Sequence, residues 1–110
     1  MSSGVCQVQV VHSDRAALEA ILEDLLERRL IACGQLLGPI ESSYRWQGGL
    51  EREQEWLALL KTSEAASGRV LERVRELHSY EVPEVLVTAI QAGHEPYLSW
   101  VIEESSGEPR

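Results

Sequence analysis

Four side chains that could take part in acid–base or metal chemistry lie within seven consecutive positions of the sequence. They are His78, Tyr80, Glu81 and Glu84. A neutral imidazole beside carboxylates is a reasonable start for a copper or zinc site, because nitrogen ligands favour those metals. A complete site needs three or four ligands. The simpler alternative is that His78 caps the preceding helix and hydrogen-bonds the following turn.

His12 is the second candidate ligand, because it follows an apolar strand and precedes a predicted helix N-terminus. The helix dipole there would keep the imidazole neutral, which suits a metal ligand. A histidine at the end of a strand is otherwise simply exposed. Cys33 lies among small residues, where a free cysteine behaves more often as a small buried hydrophobe than as a ligand.

Lys61, the single lysine, emerges from an apolar strand. It could hold an anionic ligand, or it could form a structural ion pair with Glu55 or Glu84, which we consider the better interpretation. The aromatic residues Tyr44, Trp46 and Trp56 lie on a predicted hairpin. Large exposed rings on a small domain usually mark an interface, so we expect them in a core or a subunit contact rather than in a ligand cage.

The composition excludes several classes of function. The 110 residues carry a net charge of −8, so a nucleic acid or an anionic membrane is a disfavoured partner. The sequence contains neither a Gly-rich phosphate loop nor a Gly-x-Ser-x-Gly motif, and neither cysteine lies at a helix N-terminus. We therefore expect no enzyme. No secretory signal or long apolar segment is found, and two cysteines make no disulfide framework, so we expect a cytoplasmic protein.

Hydrophobic spacing predicts the elements that position these residues. Residues 5–12 alternate as a strand, and Ser13 or Asp14 is a plausible cap for the amphipathic helix that follows. Residues 31–37 and 40–47 read as extended segments, Gly48-Gly49 as a hairpin turn and residues 53–62 as the return strand. Ser63 can cap a second helix that ends near His78. A fourth strand over residues 85–92 and a short helix over residues 97–104 complete the chain.

This order predicts an α+β protein with a ferredoxin-like split βαβ sandwich, built as βαββαβ with a short C-terminal helix. We expect one domain over residues 1–110, with loose ends at residues 1–4 and 105–110. In this topology the first and second strands are not neighbours. Cys6 and Cys33 would therefore lie on separated strands, which argues against a disulfide between them.

The sequence resembles the CutA, or divalent-cation tolerance, proteins in five segments that occur in the right order. They are Leu30-Ile31-Ala32-Cys33, Ser43-Tyr44-Arg45-Trp46-Gln47-Gly48, Leu59-Leu60-Lys61-Thr62, His78-Ser79-Tyr80-Glu81-Val82-Pro83-Glu84 and Tyr97-Leu98-Ser99-Trp100. The resemblance implies a tightly assembled homotrimer in the cytoplasm that binds divalent metal, copper in particular, with no established reaction. It departs from some members at Leu77, where they carry a first histidine, and at Ser79, where proline is frequent.

Three hypotheses follow. The first is a trimeric protein that binds copper or a similar divalent ion, with His78, His12 and a carboxylate as metal ligands. The second is a small-molecule-sensing trimer similar in architecture to the PII signalling proteins, with a ligand pocket between subunits. The third is an assembly module whose trimer, closed through Tyr44, Trp46 and Trp56, is the functional object. The residues that we assign to the pocket are Cys33, Trp46, Lys61, Tyr80, Glu81 and Glu84.

Overall fold

A computed structural model of the chain describes residues 2–107. These residues form four strands and three helices, which confirms the predicted mixed α+β class. None of the described helices is long and apolar enough to cross a membrane. In chain order the elements are β1 (Val5–His12), α1 (Arg15–Glu27), β2 (Cys33–Trp46), β3 (Gly49–Ser63), α2 (Ser67–Leu77), β4 (Val85–Ile90) and α3 (Glu95–Glu104).

The four strands form one antiparallel sheet in the order β2-β3-β1-β4. β3 lies between β1 and β2, and β1 lies between β3 and β4, so each βαβ unit is split by a strand of the other. The predicted topology is therefore confirmed. Cys6 on β1 pairs with Thr62, whereas Cys33 on β2 pairs with Lys61, and both cysteines are free.

The main core lies between one face of the sheet and the helices α1 and α2. Its buried side chains come from alternate positions of the central strands and from one stripe of each helix, as the hydrophobic spacing predicts. They include Val8, Val10, Leu18, Ile21, Leu25, Ala58, Leu60, Val70 and Val74. A second, smaller cluster forms where α3 packs on the sheet, with Val5, Leu98 and Val101. None of the helices in the described part of the chain covers the rest of that second face.

The uncovered part of the sheet carries leucines. Residues paired directly across antiparallel strands point to the same face, and so do residues two apart in one strand. The register pairs Leu37 with Leu57, and pairs Gln9 with both Leu59 and Leu86. Leu37 is 44% exposed and Leu86 is 55% exposed. We call this surface the open face and define it by Leu37, Leu57, Leu59 and Leu86.

The β2–β3 hairpin extends beyond the rest of the sheet. β1 pairs with β3 from Ser63 only as far as Trp56, whereas β2 and β3 remain paired to Trp46 and Gly49. Within residues 2–107, no third strand therefore pairs with the overhanging hairpin, residues 40–55. This hairpin lengthens the molecule to 44 × 29 × 21 Å, with a radius of gyration of 14.5 Å, against about 13 Å for a compact domain of 100 residues.

Three strand and turn predictions for the hairpin region need correction. β2 is one strand with an irregularity between Leu37 and Ile40, rather than two segments, because Gly38 and Pro39 bulge without ending the pairing. The turn consists of Gln47 and Gly48, with φ of 49° and 81°, rather than Gly48 and Gly49. Two positive φ values match a type I′ turn, whose twist suits a hairpin. β3 therefore starts at residue 49 instead of residue 53.

The second helix starts later than predicted. Ser63 is the last residue of β3, and its Oγ accepts a hydrogen bond from the Ala66 N–H at 3.1 Å, which stabilises a turn before α2. Asp14, not Ser13, caps α1, because its carboxylate accepts from Ala16 and Ala17 N–H. β4 ends at residue 90 instead of residue 92, and α3 begins at residue 95.

The expected loose ends are partly tied down. Ser105 is buried, its Oγ accepts a hydrogen bond from the Ser63 N–H at 2.9 Å, and it donates to the Val101 carbonyl at 2.6 Å. The Ser3 N–H donates to the Ile90 carbonyl at 3.2 Å. These bonds connect Ser3 to β4 and Ser105 to β3; the looseness of the two ends stays a prediction. Residues 1 and 108–110, which this expectation also covers, lie outside the described residues.

Candidate functional site

Two histidines that are 66 positions apart in the sequence stack on each other at one end of the sheet. His12 ends β1, and His78 follows α2 as its C-cap, where the backbone becomes extended. Their ring centroids are 4.3 Å apart with an interplanar angle of 19°. The Tyr80 ring packs against both, at 5.0 and 4.6 Å. The structure therefore brings together three of the residues that the sequence singles out.

Hydrogen bonds fix the protonation of His12. The Asp14 N–H donates to His12 Nδ1 at 2.9 Å, and a backbone N–H can only donate, so this nitrogen carries a lone pair. In the neutral ring Nε2 then carries the hydrogen, which it donates to Ser79 Oγ at 3.1 Å. Burial, followed by the neighbouring His78, lowers the pKa of His12 below its ordinary 6.5. His12 is therefore held in the neutral form.

His78 is engaged in the same way. Its Nδ1 accepts a hydrogen bond from the Tyr80 N–H at 3.1 Å, and its Nε2 donates to the Val11 carbonyl at 2.8 Å. The ring thus joins the end of β1 to the turn after α2, which is the capping role that the sequence left open as the simpler alternative. The side chain is buried, with 7% exposed.

The histidine pair does not fit a metal ion in this arrangement. Each neutral ring has one nitrogen lone pair, on Nδ1, and in both His12 and His78 that lone pair already accepts a backbone hydrogen bond. A nitrogen that binds a metal ion must have its lone pair free. Among residues 2–107, no three His, Cys, Asp or Glu side chains are grouped so that they could hold one ion. The pair instead connects strand, helix and turn.

Tyr80 links the histidine pair to an acidic strand. Its hydroxyl donates to Glu55 Oε2 at 2.9 Å and accepts from the Ser13 N–H at 2.8 Å. Burial raises the pKa of Tyr80; the bond to Glu55 adds to that rise and the bond from Ser13 opposes it. Glu55 is only 6% exposed, although it lies on β3 at the base of the overhanging hairpin.

A cavity of about 430 Å³ opens beside this cluster, between the overhanging hairpin and residues 80–84. We call it the acidic cavity. Its polar lining consists of carboxylates and its apolar lining is mostly aromatic; the residues are Val11, Tyr44, Trp46, Glu53, Glu55, Tyr80, Glu81, Val82 and Glu84.

The carboxylates of this cavity meet neutral partners. Tyr44 donates to Glu53 at 2.8 Å, and this bond raises the pKa of Tyr44 to about 12. Gln9 donates to Glu84 at 2.8 Å. Within the described part of the chain, ion pairs occur on the helices and at the end of α3, and none includes a glutamate of this cavity.

Two residues predicted for the ligand pocket lie elsewhere. Cys33 and Lys61 face each other across β2 and β3, far along the strands from Glu55. Lys61 Nζ donates to Gln35 Oε1, so the expected ion pair with Glu55 or Glu84 is wrong: the strand register places the lysine at the opposite end of the sheet. Cys33 Sγ lies 3.2 Å from the hydroxyl of Tyr97, and this contact raises the Tyr97 pKa to about 12.

Of the aromatic residues predicted at an interface, Tyr44 and Trp46 remain 39% and 46% exposed. Trp56 instead packs against the core of its own chain, and it fills the space beside Gly38. The sequence reasoning missed Glu53 and Glu55 as lining residues. Their signal was the alternation of Glu51, Glu53 and Glu55, which places three carboxylates on one face of the strand.

Known sequences resemble most of this chain. A family profile described as the CutA1 divalent ion tolerance protein matches residues 6–104. The divalent-cation tolerance protein CutA of Thermus thermophilus is 41% identical over 85 residues, which are 77% of this chain and 82% of that protein. The protein CutA of Homo sapiens is 38% identical over 81 residues, 74% of this chain and 45% of that protein. The chain spans about half the length of such vertebrate relatives.

Solved structures agree with these sequences. The divalent cation tolerance protein of Thermus thermophilus superposes with a TM-score of 0.89 at 35% identity, over 93% of this chain and 99% of that one. A structure described as the periplasmic divalent cation tolerance protein CutA of Archaeoglobus fulgidus gives 0.89 at 27% identity, over 93% and 99%. Sequence and fold lead to the same result: the chain belongs to the CutA1 divalent ion tolerance family.

Proposed function

We propose that the protein acts in divalent-cation tolerance as a homotrimer that binds a divalent cation. The observation that carries the assembly is the open face, where leucines lie on a sheet surface without a covering layer. An apolar sheet face is normally buried against another layer. The overhanging hairpin adds unpaired strand edges, which a second copy can occupy.

Cation binding is supported by the family and by charge. The net charge of −8 raises the local concentration of cations around an assembly of this chain. Copper is the ion that the resemblance implies. We assign no ligand set to it, because the lone pairs of His12 and His78 are occupied in the geometry described above.

Calorimetric titration with Cu(II), combined with sedimentation of the same sample, tests this proposal. We expect a stoichiometric heat of binding and a mass three times that of the chain. His78→Ala, compared with His94→Ala at an exposed histidine, reports whether the histidine pair takes part. A monomeric protein, or one that shows no saturable copper binding, would contradict the proposal; a trimer without binding would favour the assembly-module hypothesis.

A second candidate is a small-molecule-sensing trimer. The observation that favours it is the acidic cavity, which combines aromatic and polar lining in a volume suited to a small ligand.

Location in the cytoplasm and the lack of an enzymatic reaction stay predictions from the sequence. Fractionation of cells that express the tagged protein would test the location.

A further inference from the structure

We propose that the acidic cavity binds an organic ammonium ion. This inference goes beyond the divalent-cation role and does not depend on it, because it concerns a different ligand. The first argument is charge. Glu53, Glu55, Glu81 and Glu84 line one cavity, and in residues 2–107 none of them forms an ion pair.

Glu55 is a buried carboxylate for which no ion pair is found among the described residues. The side chain is 94% buried, since only 6% is exposed, and a buried carboxylate is costly unless a cation or strong hydrogen bonds compensate it. Among residues 2–107, its hydrogen bond comes from the hydroxyl of Tyr80, which is not a cation. A cationic group in the cavity would supply the compensation.

The second argument is the aromatic lining. Tyr44, Trp46 and Tyr80 line the same cavity as the carboxylates. Aromatic faces attract cations through the ring quadrupole, and recognition of alkylated ammonium groups by aromatic residues is a general use of this attraction. Aromatic walls with carboxylates suit a ligand that is both apolar and positive.

The third argument is size. A cavity of about 430 Å³ lies in the range of small-molecule sites. A divalent metal needs several oxygens within about 2.0–2.6 Å of one point, and the described residues contain no such group. The glutamates of the acidic cavity therefore belong to no such metal-binding group within the described residues. An anionic ligand is disfavoured, because Lys61 is at the other end of the strands.

Calorimetry on the assembled protein, with tetramethylammonium and putrescine as probes, tests the proposal. NaCl at equal ionic strength controls for diffuse attraction. We expect saturable binding of at least one probe with a Kd below about 1 mM. Glu55→Gln keeps the shape and the acceptor for Tyr80, and should weaken binding at least tenfold, as expected for a lost charged partner. The matched control is Glu23→Gln, an exposed residue on α1, which should change nothing.

A second pair of variants tests the aromatic lining. Trp46→Leu should weaken binding about threefold, whereas Trp100→Leu, at a similarly exposed tryptophan on α3, should not. If Glu55→Gln does not fold, Glu84→Gln at an exposed position replaces it. Failure of both probes to bind, or equal binding by the Glu55→Gln and Glu23→Gln variants, overturns the proposal. Neither result bears on copper binding or on the trimer, which are measured separately.

Discussion

His12 illustrates how a buried, neutral side chain couples stability to pH. Burial holds the pKa of His12 below 6.5 in the folded protein, so the unfolded chain takes up the proton first as the pH falls. The stability contributed by the neutral ring is complete above about pH 6.5 and is lost as the pH falls through the lowered pKa. We expect the free energy of unfolding in urea to decrease between pH 7 and pH 5.

A His12→Asn variant isolates this effect. The asparagine oxygen can replace Nδ1 as the acceptor for the Asp14 N–H, but it does not titrate. The variant should therefore show a smaller decrease over the same pH range, while His94→Asn, at an exposed position, should follow the wild type. Equal slopes for all three proteins would show that His12 does not carry the dependence.

For a single residue, the sequence specifies the side-chain type but does not predict its hydrogen-bond partners. His12, His78 and Tyr80 were identified as candidates because few side chains can do such chemistry, and they meet in the structure. Their protonation depends on backbone N–H groups at Asp14 and Tyr80, whose directions are set by the exact path of two turns. No residue pattern specifies that path, so the occupied lone pairs could not be predicted.

Among the elements, β2 depends on a glycine where a helix crosses it. A Cβ at Gly34 would lie 2.6 Å from the Leu22 side-chain methyl on α1 and 2.8 Å from that of Leu60 on β3, so both leucine side chains would have to shift to admit it. Gly34→Ala should destabilise the protein by about 1–3 kcal/mol through overpacking. Gly68→Ala, on α2 with nothing nearby, should instead stabilise it by up to about 1 kcal/mol. Urea denaturation measures the free energy of unfolding of both variants. If that free energy is not lowered by Gly34→Ala, the prediction is contradicted.

A buried hydroxyl is one of the groups that hold the end of α3. Ser105→Ala removes the acceptor for the Ser63 N–H, and an unsatisfied buried donor costs about 1–3 kcal/mol. Ser99→Ala, exposed on the same helix, should stay within about 0.5 kcal/mol of the wild type. Thermal and urea unfolding provide the measurement. If the two variants were equally stable, the Ser105 bond would not anchor the helix.

The elements with strong periodicity were predicted well, and their boundaries less so. The leucine spacing of α1 has no competing interpretation, and the strand predicted over residues 5–12 coincides with β1. The hairpin turn was displaced by one residue, because Gln47 adopts a positive φ that the sequence suggested for glycine. Glu53 and Glu55 were not recognised as site residues, since the cavity depends on how far the hairpin overhangs.

For the molecule as a whole, the two faces of the sheet differ in how far they are buried. The helices α1 and α2 seal one face with a closed apolar core. The opposite side of the sheet includes the leucines of the open face. The acidic cavity borders these leucines, because Leu57 and Glu55 lie two residues apart on the same side of β3. Assembly and ligand binding would therefore share one surface, and a neighbouring copy would lie close to the cavity.

A charge on the open face should separate assembly from folding. Leu86→Glu places a carboxylate among the exposed leucines, where a subunit contact would have to bury it unpaired, and such burial is strongly unfavourable. We expect sedimentation to show a trimer for the wild type and a monomer with unchanged circular dichroism for this variant. Leu26→Glu, also at an exposed leucine but on α1, should remain a trimer. If the Leu86→Glu variant sediments like the wild type, the open face is not the surface through which the copies join.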